Sequence, residues 1–408
     1  MAEYLIQDET LKLLATGIRQ KGGITAELTP KDMIKNLFAL ETETDTGLTS
    51  GVNFYDYDGT LLHSYTLKEA QELTALPEAP THDGITFAGW THTLEKVNDT
   101  LTTLDVGATY NSESTQMTIN LTEPTTFSFY FEQSISDDTS IDWGDGSTAE
   151  TLSETGAVCA SHSYAAAGEY VIKLTSAEGE IEFGIANDKY ATLTYNGDGV
   201  NGNTFGAFIG SGEPNANALL VTRIVLGNNV RMGNGHYTVS STKVVYSSEF
   251  YHCENLESLI ISVGVNQIGT ETFRECHKLK CVIIHKNVDF ARYSFRACIG
   301  MTKVIFASGF WFNGSYGEGA FYGCSALESI DLPPAVTETV GSAFYGCTAL
   351  KRIHCRSKTP PSFGSRTFKN VPSSCVMYVP LFSVDAYTDT ITNGYSQYEG
   401  KIKGEPTL

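Results

Sequence analysis

Between Leu256 and Ala349 one alternation of apolar and polar positions recurs four times. The copies open Leu256-Glu-Ser-Leu259-Ile260-Ile261, Leu279-Lys-Cys-Val282-Ile283-Ile284, Met301-Thr-Lys-Val304-Ile305-Phe306 and Leu327-Glu-Ser-Ile330-Asp-Leu332. Each closes on Phe-x-x-Cys, at Phe273…Cys276, Phe295…Cys298, Phe321…Cys324 and Phe344…Cys347, and Phe250…Cys253 precedes them. The cysteines step by 23, 22, 26 and 23 residues. A fixed period of this length predicts stacked supersecondary units. In each unit Leu259 and Ile261, or their equivalents, alternate as a short strand with one face inward. Phe273 and Cys276, three apart, then share the inner side of a tight turn.

Upstream the periods change. Leu11, Leu14 and Ile18 share a helical face that Gly22-Gly23 ends, and Thr29-Pro30 opens a second helix carrying Met33, Ile34 and Leu37. These short helices predict an attachment or oligomerisation segment over residues 1–45. Phe127, Phe129 and Phe131 alternate along one strand of a β-sandwich spanning 116–185. Residues 195–218, rich in Gly and Asn, read as a loop-rich entry to the repeats, which span 219–408 with a C-terminal cap. The expected fold is therefore multidomain and mainly β: a short helical N-terminus, a small module over 50–97, a sandwich and a solenoid.

Composition narrows the functions. The formal charge is −20, with 47 Asp and Glu against 27 Lys and Arg, which disfavours nucleic acid as a partner. No apolar stretch is long enough to span a membrane. Met1-Ala-Glu-Tyr-Leu5 has neither a basic nor an apolar leader region, so no secretory signal peptide is expected. Of the nine cysteines, Cys253, Cys276, Cys298, Cys324 and Cys347 hold one repeat position, which reads as a column of small buried hydrophobes, with a disulfide ladder as the alternative.

Several stretches resemble known families. The repeats, including Gly341-Ser-Ala343-Phe344-Tyr-Gly-Cys347, resemble the BspA-type leucine-rich repeats of bacterial surface proteins. Lys358-Thr-Pro360-Pro361 and Cys375-Val-Met-Tyr378-Val379-Pro380 are similar to the closing segment of such arrays. Gly84-Ile-Thr-Phe87-Ala-Gly89-Trp90 resembles the β-grasp module of the internalin B-repeat type, in which a helix such as Leu67–Leu76 covers the sheet and Trp90 joins the core. Ile141-Asp-Trp143-Gly-Asp145-Gly146 and His162-Ser-Tyr164…Gly168-Glu-Tyr170 carry both hallmarks of Ig-like PKD domains, which would place Trp143 and Tyr170 between the sheets. The N-terminal segment is similar to tail and baseplate-associated proteins of phages and prophages of Gram-positive gut bacteria.

Candidate chemistry is sparse. Asp56-Tyr-Asp58-Gly59-Thr60-Leu61 matches the motif of haloacid-dehalogenase-type phosphatases, which use Mg²⁺. That family needs a continuous apolar run before the first Asp, whereas Val52 and Phe54 flank polar Asn53. Asp58-Gly59 is also a strong hairpin turn. Asp137, Asp138, Asp142 and Asp145 offer the oxygen ligands Ca²⁺ takes, although a solvated acidic turn is the commoner cause of such a cluster. No cofactor is implied.

The copies differ most outside the core. The Met301 unit is extended and carries Phe310, Trp311, Phe312 and Tyr316, and the unit before Cys253 is extended around Met232–Lys243. The residue after each core Phe should point outward, giving a column of Tyr251, Arg274, Arg296, Tyr322 and Tyr345. Tyr and Arg are types that dominate binding hot spots. Aromatic faces there would suit sugar rings, and the surface would equally suit a protein.

The resulting expectation is a non-enzymatic recognition or adhesion protein, most concretely a phage or prophage tail-associated receptor-binding component located in the virion. Its repeats would contact a host or bacterial surface protein or glycan. The N-terminal segment would meet other virion proteins or further copies of the chain, without membrane insertion. A bacterial cell-surface adhesin is the second reading and a phosphatase the third.

Overall fold

In the computed structural model the Phe-x-x-Cys turns stack as one column. The structure describes residues 51–135, 138–153, 155–183, 207–210, 213–214, 216–230, 249–310, 318–339, 341–364, 366–389 and 401–405. The rings of Phe250, Phe273, Phe295, Phe321, Phe344 and Phe368 step by 5.4–5.7 Å, with adjacent planes within 13°. All are buried. The last, Phe368, extends the column past the units evident in sequence, with Val371 standing where the cysteine would be.

Backbone hydrogen bonds hold the same step. From Phe250 to Phe344 each core Phe N–H donates to the next coil, as Phe295 does to the Ala320 carbonyl at 2.8 Å and Phe321 to Ala343 at 2.9 Å. Two residues later a second N–H repeats the link, as Ala297 to Tyr322 and Gly323 to Tyr345, both at 2.7 Å. The cysteine closes each turn: Cys276, Cys298, Cys324 and Cys347 donate to the carbonyls of Phe250, Phe273, Phe295 and Phe321 at 3.1–3.6 Å. All nine cysteines are free thiols and only Cys159 is exposed. Burial pushes the Cys298 and Cys347 thiols up to about 12, which keeps them protonated as donors.

Turning the chain this tightly places residues on both sides of the Phe in the left-handed region. Two residues before it stand Glu271, Tyr293, Gly319, Ser342 and Arg366; two after it stand His252, Glu275, Ala297, Gly323, Gly346 and Asn370. Only some are glycines, so the stack carries non-Gly residues in a conformation that costs them about 1–2 kcal/mol each.

The short strands follow the turns. They are β14 (Val221–Leu226), β15 (Ser258–Ile261), β17 (Cys281–Ile284), β19 (Lys303–Phe306), β20 (Ser329–Leu332), β22 (Arg352–Cys355), β24 (Val376–Pro380) and β25 (Ile402–Glu405). Two-residue strands pair as two further parallel sheets, β16 (Gln267–Ile268) with β18 (Asp289–Phe290) and β21 (Glu338–Thr339) with β23 (Ser362–Phe363). Leu259 and Ile261 point inward as their alternation predicts. At the far end, α3 (Val384–Asp389) covers the last coil, and Tyr387, buried there, donates to the Ser357 carbonyl at 2.8 Å.

At the near end the array does not begin free. Residues 115–183 form β5 (Thr115–Leu121), β6 (Thr125–Gln133), β7 (Thr139–Asp142), β8 (Glu150–Thr151), β9 (Gly156–Tyr164), β10 (Gly168–Ser176) and β11 (Ile181–Phe183), followed by a two-residue hairpin, β12 (Ile209–Gly210) and β13 (Glu213–Pro214). One sheet runs β15-β14-β5-β10-β7-β8, so the first repeat strands extend it directly; the facing sheet is β11-β6-β9. Phe127, Phe129 and Phe131 are fully buried between them, and Phe183 packs on Phe250 at 4.9 Å. Trp143 is buried, whereas Tyr170 is only partly so, its ring lying on Tyr164 at 4.3 Å.

Residues 51–111 form a mixed four-stranded sheet, β2-β1-β4-β3, from β1 (Gly51–Tyr55), β2 (Leu61–Thr66), β3 (Thr86–Trp90) and β4 (Leu104–Asn111). β4 lies beyond residue 97, where the sequence placed the end of this unit. One face carries α1 (Leu67–Glu72), capped reciprocally by Thr66 and Glu69, and α2 (Leu94–Asn98). The other lies across the repeat strands. Ile85, Ala108 and Tyr110 bury Val225 and Ile260, while Tyr55 covers Cys281, Ile283 and Ile305. Gly107 and Gly59 permit the approach: a Cβ at either would come within 2.9 Å of Ile283 or Cys281. The module is therefore packed against the array rather than strung before it as a spacer.

Arg356 fixes this packing. Its guanidinium donates to Asp331 (2.6 and 2.8 Å), Glu405 (2.8 Å), Thr102 Oγ1 (2.7 Å) and the Thr103 carbonyl (3.0 Å). Lys303 pairs with Asp105 nearby and lies over the Tyr55 ring.

Two predictions follow from these contacts. Burial alone would raise the Asp331 carboxyl, but Arg356 more than offsets it and holds the group below its ordinary 3.8. A depressed carboxylate contributes stability that is full above that value and lost as pH falls through the lower folded one. Arg356→Met should cost about 2–4 kcal/mol at pH 7 in denaturant melts, less than a wholly buried pair because Asp331 is 33% exposed. The penalty should shrink below about pH 4, and a pH-independent one would sink this account. Separately, Ala297→Gly should stabilise the protein by about 0.5–1 kcal/mol and Gly323→Ala should destabilise it by about 1 kcal/mol, since both positions are left-handed. Melting temperatures moving the other way would show the coils relaxing out of that conformation.

Candidate functional site

The outward column exists, but its rings do not face solvent. Because the coils stack, each side chain after a core Phe lies over its neighbour. Arg274 sits over Tyr251 at 5.0 Å, and Arg296 lies between Tyr293 at 5.2 Å and Tyr322 at 5.1 Å. Tyr322 and Tyr345 stack at 4.5 Å with planes 3° apart. The faces on which a sugar would lie are thus largely taken, and ring edges, hydroxyls and guanidinium N–H groups remain outward.

The two ends of this column differ. Near the sandwich Arg274 is buried and paired with Glu271 and Glu275, while His252 contacts Glu254 and Glu275. Toward the cap no such carboxylate network is present among the described residues. Tyr345 accepts from Asn370 Nδ2 at 3.0 Å, and the column continues to Lys369, fully outward on the coil of Phe368. Lys369, Arg366, Asn370 and Tyr293 were not evident in the sequence, because their coil lacks the Phe-x-x-Cys signature and Tyr293 precedes its Phe.

Other expected residues fall elsewhere. Phe310 is a correction: it is 1% exposed and packs on Phe306 at 4.6 Å, so it belongs to the core. Trp311, Phe312 and Tyr316 lie outside the described residues, as do Asp137, Met232–Lys243 and the N-terminal helices. The acidic residues near the sandwich turn are engaged by the protein. Asp138 accepts from the backbone of Ala177, Glu178 and Gly179, and Asp142 from Gly144. Asp145 accepts from Ser147 and meets His162 at 2.8 Å, which together hold its carboxyl well below the usual range. Among the described residues no group of three or more His, Cys, Asp or Glu could hold a metal ion.

Asp56 and Asp58 lie in the hairpin turn between β1 and β2, as Asp58-Gly59 predicts. Asp56 is not without partners, however. It is buried, accepting from Tyr110 Oη at 2.7 Å and Tyr57 N at 2.8 Å, and its second oxygen meets His82 Nε2 at 2.8 Å. Burial, then Asp56, push the Tyr110 phenol up, so it remains the donor. Both Asp56 oxygens are thus engaged within the protein, and the turn seats on Cys281. A hollow of about 340 Å³ beside Gly84 and Ser114 holds one carboxylate, Glu113, already engaged by Asn111 and Asn228.

Comparison with known proteins bears on the array. Residues 243–374 match the BspA type leucine rich repeat region in 6 copies. A leucine-rich repeat protein of Bacteroides ovatus ATCC 8483 is similar in structure, with 23% identity over 41% of this chain and 41% of that one, at a TM-score of 0.30. The match thus spans less than half of that protein. No curated protein matches.

The Asp56 geometry is testable. Asp56→Asn should lower stability by about 1–3 kcal/mol through the lost charge-assisted bonds, and the parent should not hydrolyse an aryl phosphate with Mg²⁺. Hydrolysis abolished by the substitution at unchanged stability would restore the phosphatase reading.

Proposed function

We propose that this protein is a non-enzymatic recognition protein whose repeats contact a cell surface through the turn column. One observation carries the reading: the repeat strands, apolar on their outer side at Ile260, Ile283 and Ile305, are already covered by the N-terminal module. The stacked Tyr and Arg side chains of the turns are on the side left accessible. The match of residues 243–374 to a repeat type found in surface proteins supports an adhesion-type role. The PKD-like sandwich and β-grasp-like module then act as a rigid base for the array.

In its most specific form the proposal is a phage or prophage tail component, carried into the virion by residues 1–45. Its support is the likeness of that segment to tail-associated proteins. The second form, a bacterial cell-surface adhesin, uses the same face.

Tyr322→Ala/Tyr345→Ala should reduce binding to host cells at least about tenfold, as loss of hot-spot residues does, while leaving the melting temperature within a few degrees. Full binding by this variant and by Trp311→Ala, both folded, would remove the turn column as the contact face.

A further inference from the structure

The two halves of the turn column differ in charge balance. In a chain with 20 more carboxylates than cations, several cations on the coils have an acidic partner. Arg274 has Glu271 and Glu275, Arg292 has Glu318, Lys351 has Glu328, and Arg356 has Asp331 and Glu405. Arg296, Arg366 and Lys369 make no ion pair among the described residues. Arg296 stands at the middle of the column and Arg366 and Lys369 at its cap end, with Tyr322 and Tyr345 between them and Asn370 beside Lys369. What sets these three apart is that they share one column of turns, where cations without an acidic partner can draw an anion.

This stretch is also periodic. The core rings beneath Arg296, Tyr322, Tyr345 and Lys369 are 5.5, 5.5 and 5.7 Å apart. Each rung presents a polar group. Arg296 lies between the Tyr293 and Tyr322 rings, and its guanidinium carries the N–H fork that suits a planar anion. The phenols offer both donor and acceptor, as sugar hydroxyls need. A folded protein partner would want a desolvated apolar anchor, and none of these rungs offers an exposed apolar side chain.

Resting on the recognition role above, we propose that the strip from Arg296 through Tyr322 and Tyr345 to Arg366 and Lys369 binds an extended acidic polysaccharide. The rungs engage its hydroxyls and the cations its charged groups. The anionic group is a carboxylate, sulfate or phosphodiester.

The test uses the full chain against immobilised polygalacturonate, dextran sulfate and poly(glycerol phosphate), with neutral dextran and single-stranded DNA beside them. The expected result is binding to at least one of the three acidic polymers, weakening with salt, and none to dextran. Arg366→Gln/Lys369→Gln, both exposed and outside the core, should reduce that binding about tenfold or more with unchanged melting. Arg296→Gln should do the same, while Arg296→Lys should recover only part. No binding to any acidic polymer, equal binding to dextran, or full binding by the double variant overturns the proposal. Single-stranded DNA bound as tightly as the best polysaccharide overturns it in favour of nucleic acid. Cell binding separates the two levels: if Tyr322→Ala/Tyr345→Ala abolishes it while the cation variants retain it, recognition by this face stands and the acidic ligand falls.

Discussion

Everything in the C-terminal half depends on the fixed step between coils. Phe rings at 5.4–5.7 Å, backbone N–H groups reaching the next coil, and thiols donating to the Phe carbonyls behind them impose the same repeat. No single coil could bury its Phe or satisfy its turn backbone. The spacing of the outer groups is inherited from this inner one, which is why Tyr322 and Tyr345 come to lie parallel. The surface column is thus a projection of the core.

A stack of this kind has two raw ends, and they are closed differently. Toward the C-terminus Tyr387 and α3 cover the last coil. Toward the N-terminus the sandwich continues the array through β5 and β14, so the hydrophobic core runs from Phe127 to Tyr387 as one cluster. The third exposure, the strands' outer side, is met by the module of residues 51–111. Past Ile305 that side turns polar, at Asp331, Arg352 and His354.

Much of this was legible in the residues. The Phe and Cys columns, the inward Leu259 and Ile261, the alternating Phe127–Phe131 and the Asp58-Gly59 turn lie where local pattern and spacing put them, because each is decided within one coil or hairpin. What spacing does not carry is which units touch. The clue was present in Leu259-Ile260-Ile261 and Val282-Ile283-Ile284, apolar on both faces, as strands covered on both sides are. Phe310 shows the converse: an aromatic in an insertion filled the core beside Phe306. The candidate column was visible only as far as its Phe-x-x-Cys marker, so Lys369, beyond Val371, became apparent only once coils were stacked.

The module's docking joins distant parts of the chain: Asp105 meets Lys303 and Thr102 meets Arg356, 198 and 254 positions apart. Coil-to-coil contacts, by contrast, span one repeat. Local contacts form sooner than those that must close long loops. The order of assembly is therefore written into the topology. During synthesis the module emerges before the coils and waits with its apolar face open, while the coils grow one by one and three of them add Ile260, Ile283 and Ile305 to the opposite surface. Until Lys303 and then Arg356 are made, no ion pair or guanidinium clamp joins the two, and both faces are available to the wrong neighbour. The surface that best protects the finished molecule is thus its greatest aggregation hazard on the way there.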